Sequence, residues 1–335
     1  MIGGLIIVAL VFVAAALAML VLLAIRRTVL ARRDRRYADA ERRVRPLAIA
    51  LVEGDGGEPP TLSSADQAVL AEVLGRYSRK LTGAAHARIA DYFRGTPAVR
   101  AALHDLRARR MWRRAAAAYR LGDMADPEVA PALLAALDDS RRQVRTAAAR
   151  SLGRLGIVEA ALPLVEALVS RRVPSGVAGQ ALVELGPAAV PELRRIAEHP
   201  EPQIRAAAVT LIGLVGDSRD APLAVSALED PSADVRRAAA ETLSRIGGAA
   251  AEPPLRTALS DRLHFVRAAA AAALGALRSD AALPQLLEMA RTDRFRPARA
   301  AAQAVARIAP RELAAAAKEP GAGPHLHEAA DLGAM

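Results

Sequence analysis

A pattern of about 31 residues recurs seven times along this chain of 335 residues. Each copy joins an alanine-rich segment, such as VRRAAAETLSRIG beginning at Val235, to a second apolar segment with a proline near its start, here Pro253. Aligned on Ile246 and Gly247, the seven equivalent positions are Met124, Leu155, Leu185, Val215, Ile246, Leu277 and Ile308. A helix, a glycine-assisted turn and a second helix opened by proline explain this pattern, because the first turn of a helix does not need the N–H that proline lacks. One such pair cannot bury its apolar face alone, so we expect about seven pairs to stack around a continuous core.

The composition favours the same all-α fold. Aromatic residues make up only 3% of the chain and alanine is abundant, whereas strands prefer branched and aromatic side chains. We expect Trp112 and Tyr119, at the start of the first copy, to pack in the core. The absence of cysteine excludes disulfides and thiolate metal sites. Arginine greatly outnumbers lysine, a bias that we attribute to a GC-rich bacterial genome.

The repeated segments resemble a known family. Three segments are similar to HEAT repeats, and in particular to the short bacterial class named after phycobilisome-lyase HEAT-like repeats. They are VRTAAARSLGRLG, IRAAAVTLIGLVG and VRRAAAETLSRIG. The resemblance covers residues 109–316. It implies an all-α fold, an α-α superhelix or HEAT-like solenoid, which serves more often as a binding scaffold than as an enzyme.

An arginine recurs at one position near the start of the first helix of most copies. The resemblance implies an internal ladder in which each arginine meets an aspartate of an inter-repeat loop, and it pairs Arg236 with Asp230. The alternative is a basic stripe for phosphate or acidic peptides. The residues assigned to the ladder are Arg145, Arg205, Arg236, Arg267, Asp139, Asp230 and Asp261.

The first 25 residues predict a membrane anchor. Residues 2–25 carry no charge, and as a helix they would span roughly 36 Å, against a hydrocarbon core of about 30 Å. We expect an uncleaved single transmembrane helix, with a cleaved signal peptide as the alternative. The arginines that follow predict a single-pass protein of the plasma (inner) membrane, with its N-terminus outside and its repeats in the cytoplasm. The candidates for contact with lipid headgroups are Arg26, Arg27, Arg32, Arg33, Arg35 and Arg36.

The remaining segments complete the predicted organisation. A basic juxtamembrane helix covers 26–52, a linker rich in glycine and proline covers 53–64, and a small helical adaptor or N-terminal cap covers 65–108. After the repeats, residues 317–335 predict a disordered tail, because glycine and proline interrupt it.

The net charge of +10 is concentrated near the anchor. The segment from Arg26 to Arg45 accounts for +6 of it, so the remainder of the chain is nearly balanced. Because electrostatics dominates binding to nucleic acids, we expect none here, and a basic solenoid that binds nucleic acid is kept as an alternative.

No catalytic constellation is apparent, and we expect no cofactor, metal or small-molecule substrate. The single His-Glu pair, His327 and Glu328, lies in the predicted tail, whereas a resemblance to HEAT-like hydroxylases would require such pairs on the repeats. A HEAT-like enzyme of lyase or hydroxylase type is the alternative. The favoured function is a membrane-anchored scaffold or adaptor for a protein partner, such as a membrane enzyme or complex. The predicted contacts with that partner are Arg171, Arg172, His264, Phe265, Arg294 and Phe295.

Overall fold

The computed structural model describes residues 2–55, 62–81 and 83–333, without the side chains of residues 2–16, 18, 33, 249 and 333. Over these residues the chain forms α-helices joined by turns and short 3-10 helices, with no strand. It divides into two compact units, Met1–Ala102 with Asp123–Asp126, and Leu103–Gly122 with Pro127–Met335. The predicted all-α fold is confirmed.

The first unit is built around one long helix. The helices in order are α1 Ile2–Glu53, α2 Ser64–Ser78, α3 Ala84–Arg94 and the first residues of α4 Ala98–Leu106. Helices α2 and α3 pack on α1 and bury Val44, Leu70 and Phe93 among others. Arg88 of α3 donates two hydrogen bonds, of 2.9 and 2.6 Å, to the carbonyl oxygen of Val52 near the end of α1. A cationic side chain there satisfies a carbonyl that the helix leaves unbonded.

The predicted transmembrane anchor and single-pass membrane location are wrong. Across the described part of the chain, no helix has the length and apolar character that crossing a membrane requires. Most of the predicted segment 2–25 lies outside the described side chains. The predicted linker 53–64 also lies partly outside the description, at residues 56–61.

The second unit contains the repeats, each with a first helix and a shorter second helix. The first helices are α5 Met111–Asp123, α7 Arg142–Leu155, α9 Ser175–Leu185, α11 Pro202–Val215, α13 Ala233–Ile246, α15 His264–Leu277 and α17 Phe295–Ile308. The second helices are α6 Ala130–Ala136, α8 Ala161–Val169, α10 Val190–Ile196, α12 Ala221–Ala227, α14 Glu252–Ala258, α16 Leu283–Thr292 and α18 Pro310–Ala316. Each first helix is followed by its own second helix, as the 31-residue period predicts.

Small residues bring successive first helices close together. A Cβ atom on Gly153 would lie 2.7 Å from the Cα of Ala181, so α7 and α9 meet where only glycine fits without a shift. Buried hydroxyl groups join the same layer, since Thr242 donates a 2.8 Å hydrogen bond to the carbonyl oxygen of Val209 on the preceding first helix. The layer of first helices is therefore closely packed.

The turn between the two helices uses a left-handed backbone. Gly247 ends α13 with φ at +70°, and Gly248 follows with φ at +117°. Pro253 then lies in the first turn of α14, where it needs no hydrogen-bond acceptor. Gly247 and Gly248 thus form the turn, and Pro253 helps to start the second helix.

The tail predicted to be disordered over 317–335 contains a packed helix. Helix α19, Pro324–Gly333, lies against α17 and α18 and completely buries Leu326. Its apolar residues cover the last repeat, which would otherwise expose the end of the core. The prediction from local glycine and proline content did not find this helix, because tertiary packing against α17 and α18 orders it.

Candidate partner-binding surface

Arginine–aspartate pairs connect neighbouring repeats along the loops that precede the first helices. Each arginine places Nε and one terminal nitrogen against the two oxygens of an aspartate, with Nε–oxygen distances of 2.6–2.8 Å. The side chains are only 11–17% exposed. The four pairs, called the ladder here, are Arg114–Asp139, Arg205–Asp230, Arg236–Asp261 and Arg267–Asp293.

The partner of each arginine is one repeat further along than the sequence pairing placed it. Arg236 was paired with Asp230, but its guanidinium binds the carboxylate of Asp261 and reaches Asp230 only through the main-chain carbonyl, at 2.9 Å. Three of the four aspartates also accept the amide N–H two residues on, as Asp261 does from Leu263 at 2.8 Å, and Asp293 accepts that of the next residue, Arg294. Each arginine therefore joins its own loop to the loop of the following repeat.

The same shift explains the two ladder residues that sequence reasoning omitted. Arg114 occupies the recurring arginine position, and Asp293 lies four residues before Pro297 where the other aspartates lie five residues before the equivalent position. Comparing each arginine with the loop after it, about 25 residues on, would have found both.

The ladder is interrupted in its middle. Arg145 donates to the carbonyl oxygen of Arg172 at 2.7 Å in place of a carboxylate. In the following repeat Ser175 occupies the arginine position, and His199 takes the place of the aspartate, accepting the N–H of Glu201 at 3.1 Å. Helices α9 and α11 also touch much less than α11 and α13 do. The fourth repeat therefore joins the third without a ladder pair.

The arginines keep the ladder carboxylates ionised. The side-chain hydrogen bond from Arg205 lowers the pKa of Asp230, although burial acts in the opposite direction. At Asp261 burial is the largest influence and would raise the pKa, but the hydrogen bonds from Arg236 and the Leu263 amide outweigh it, so the pKa is lowered. These charges are satisfied within the fold, so the ladder is not available to a ligand.

Open grooves lie between successive second helices. The groove between α8 and α10 has a volume of about 630 Å³ and lies beside the interruption of the ladder. Val165 and Ile196 form its buried apolar floor. Glu166 and Arg195 are exposed at its rim, and Arg172 is half-buried there. An apolar floor with a charged rim is the usual composition of a protein interface.

Two further grooves also lie beside second helices. One, of about 550 Å³, lies between α14 and α16 and includes Arg267 and Asp293 of the ladder. The other, of about 560 Å³, lies between Leu106 and α6, with Pro131 and Ala135 on its opposite wall. Grooves thus recur on the second-helix side.

The model of the family of HEAT repeats matches residues 96–186 and 221–307, which is more than half of the chain. This chain belongs to the HEAT-repeat family. The narrower phycobilisome-lyase class stays a prediction. A search of curated proteins gave no match.

Several solved structures have a similar fold. The CpcE–CpcF complex of phycocyanin lyase from Nostoc sp. PCC7120 is 22% identical, with a TM-score of 0.33, over 70% of this chain and 94% of that one. Human deoxyhypusine hydroxylase is 21% identical, with a TM-score of 0.33, over 81% and 97%. Kap95p, in a structure with RanGDP, is 14% identical, with a TM-score of 0.43, over 87% and 45%. At these identities the likeness concerns the fold alone.

The predicted partner contacts are spread over three loops of the HEAT repeats. Exposed Arg171 binds Glu201 at 2.9 Å, and Arg172 forms an ion pair with Asp138. Both arginines therefore lie on one edge, but each already has an acidic neighbour.

The other predicted contacts lie in later repeats. The rings of His264 and Phe265 meet edge to face with centroids 5.7 Å apart, and both side chains are half-buried. Arg294 is exposed, and Phe295 is 63% exposed with its ring 4.7 Å from that of His325. The structure thus does not bring these residues together with Arg171 and Arg172, and their role in binding stays a prediction.

The predicted lipid contacts lie on α1. Arg26, Arg27, Arg32, Arg35 and Arg36 are exposed, and the side chain of Arg33 lies outside the description. Their headgroup role stays a prediction.

Metal chemistry has little support from the described side chains. Within residues 2–55, 62–81 and 83–333, no three histidine, aspartate or glutamate side chains converge as metal ligands would. His325 Nδ1 lies 3.7 Å from Glu328 in the C-terminal helix, and His327 is exposed.

Proposed function

We propose that this HEAT-repeat protein is a scaffold that binds a protein partner along the second-helix side of its repeats. The observation that carries the proposal is the recurrence of open grooves beside second helices, each with apolar and charged residues together. The layer of first helices has less open space for a partner, because small residues close the spaces between most of these helices.

The ladder supports this function by holding the repeats in register. A partner loses less free energy on binding when the surface that it meets is already ordered. Bidentate ion pairs between repeats, with both side chains mostly buried, limit relative movement of the loops and therefore of the grooves beside them. The groove between α8 and α10 lies where the ladder stops, so it is the groove that can adapt most to a partner.

Site-specific photo-crosslinking tests the proposal. Full-length protein carries a photoreactive residue in place of Glu166, on the rim of that groove, or in place of Arg307, exposed on α17, as the matched control. We expect position 166 to crosslink one protein in stoichiometric yield in cells of the source organism. Arg195→Glu should reduce this crosslink, because it reverses a charge on the same rim.

Two results would contradict the proposal. One is equal crosslinking from positions 166 and 307, which would indicate nonspecific contact. The other is no protein crosslinked at 166 together with turnover of a small molecule by the purified protein.

A further inference from the structure

The loops before the first three repeats form a strongly basic edge. Residues 107–113, 138–142 and 170–172, called the arginine edge here, contain eight arginines and two aspartates. Contacts make the edge continuous, since Arg114 donates to the carbonyl oxygen of Arg109 at 3.1 Å and also binds Asp139 of the next loop. Arg172 of the third loop pairs in turn with Asp138 of the second.

Most of these arginines have no acidic partner among the described residues. Three of the eight are paired, namely Arg113 with Asp105, Arg171 with Glu201, and Arg172 with Asp138. The other five are exposed and make no ion pair or side-chain hydrogen bond within the part of the chain that the structure describes. They are Arg107, Arg109, Arg110, Arg141 and Arg142.

Their positions do not favour folding stability. Helix α5 begins directly after Arg110, and α7 begins at Arg142, with no acidic residue in the first turn of either helix. The start of a helix carries partial positive charge and disfavours cations. By contrast, α13 has Asp234 in its first turn. Residues that disfavour stability at their position are typical of functional sites. Binding of an anionic ligand therefore explains these arginines better than a role in folding does.

The sign of the edge reverses at the fourth repeat. The loops before α11 and α13, residues 197–201 and 229–232, contain no arginine and include Glu198, Glu201 and Glu229. The basic stretch therefore ends after three repeats, or about 20 Å at 8–10 Å per repeat. An extended peptide covers that distance with about six residues at 3.3 Å each.

An exposed tryptophan lies within the same edge. Trp112, which the sequence predicts to pack in the core, is 60% exposed at the start of α5, two residues after Arg110. Tryptophan and arginine are the residues that most often dominate binding energy at protein interfaces. Its indole offers an apolar side chain of the partner a contact beside the charges.

We propose that the arginine edge binds an acidic segment of about six residues from a partner protein, with one apolar side chain of that segment against Trp112. This inference rests on the proposed scaffold function and specifies the chemistry of the partner. A peptide fits better than a nucleic acid, because a longer polyanion would continue onto the acidic loops of the fourth and fifth repeats.

Binding of a defined peptide to the full-length protein tests the inference. The probe is a labelled ten-residue peptide of aspartate and glutamate with one central leucine, and the reference is the same peptide with asparagine and glutamine. We expect salt-dependent binding of the acidic peptide only, detected by anisotropy and by a change in the fluorescence of Trp112, the one tryptophan in the chain. Arg109→Glu with Arg110→Glu, or Arg141→Glu with Arg142→Glu, should weaken binding by about tenfold or more.

The matched control reverses Arg262 and Arg296, two exposed arginines at the same edge of the last two repeats. It should change affinity by less than about twofold, and circular dichroism verifies that every variant is folded. The inference is refuted if the neutral peptide binds equally, if the control is as harmful as the other reversals, or if an oligonucleotide of equal charge binds more tightly. A retained crosslink at position 166 with no peptide binding would refute this inference alone, whereas the scaffold is contradicted only by the two crosslinking results given above.

Discussion

Breaking one pair of the ladder should destabilise the repeats by a measurable amount. The pair Arg236–Asp261 is bidentate, with distances of 2.7 and 3.1 Å, and each side chain is 11% exposed. Removing one member of a fully buried pair costs about 3–5 kcal/mol, whereas exposed pairs contribute about 1 kcal/mol or less. Because this pair is mostly buried but touches solvent, Arg236→Met should lower the free energy of unfolding by about 2–3 kcal/mol.

A double-mutant cycle separates the ion pair from other losses. Arg236→Met also removes hydrogen bonds to the carbonyl oxygens of Asp230 and Pro231. Combining it with Asp261→Asn should give a coupling energy of about 1.5–2 kcal/mol. Urea denaturation followed by circular dichroism gives the free energies, and hydrogen exchange should show faster opening of α13 and α15.

The control is an exposed pair within the same unit. Arg219 binds Asp217 at 2.6 Å with most of its side chain in solvent, so Arg219→Met should leave the unfolding curve unchanged. A coupling energy below about 0.5 kcal/mol for Arg236 and Asp261, or an equal loss from Arg219→Met, would refute the view that burial gives the ladder its strength.

Three further predictions follow from the ladder and from helix packing. Ser175→Arg with His199→Asp should restore the missing pair and raise the free energy of unfolding by about 1 kcal/mol, with little gain from either change alone. Folding lowers the pKa values of Asp261 and the other ladder carboxylates, so the stability that they contribute is fully present above about pH 4 and is lost as the pH falls through their folded pKa values. An acid titration of unfolding should show this loss only while the ladder is intact. Gly153→Ala should lower the free energy of unfolding by about 1–3 kcal/mol, because the added Cβ would lie 2.7 Å from the Cα of Ala181 on α9, whereas Gly176→Ala, with open space around it, should be neutral or slightly stabilising. Equal effects of the two changes in thermal melts would show that close packing is not the cause.

The periodic features were predictable because the same residue pattern occurs in every repeat. The period gave the pairs of helices, and the turn at Gly247 follows from the need for a left-handed backbone after α13. The recurring arginine was recognised for the same reason. A prediction from single residues was weaker, since Trp112 was expected in the core and is mostly exposed.

Sequence by itself determined that this chain forms a stack of helix pairs, because the apolar period of a helix pair is a local property that neighbouring residues encode. Tertiary structure decided which charges meet. Arg236 has one aspartate six residues before it and another 25 residues after it, and only the stacking of repeats makes the distant carboxylate the nearer partner. The same stacking leaves Arg109, Arg110, Arg141 and Arg142 without an ion pair among the residues that the structure describes. Side-chain distances across repeats thus separate the arginines that stabilise the fold from those available to bind.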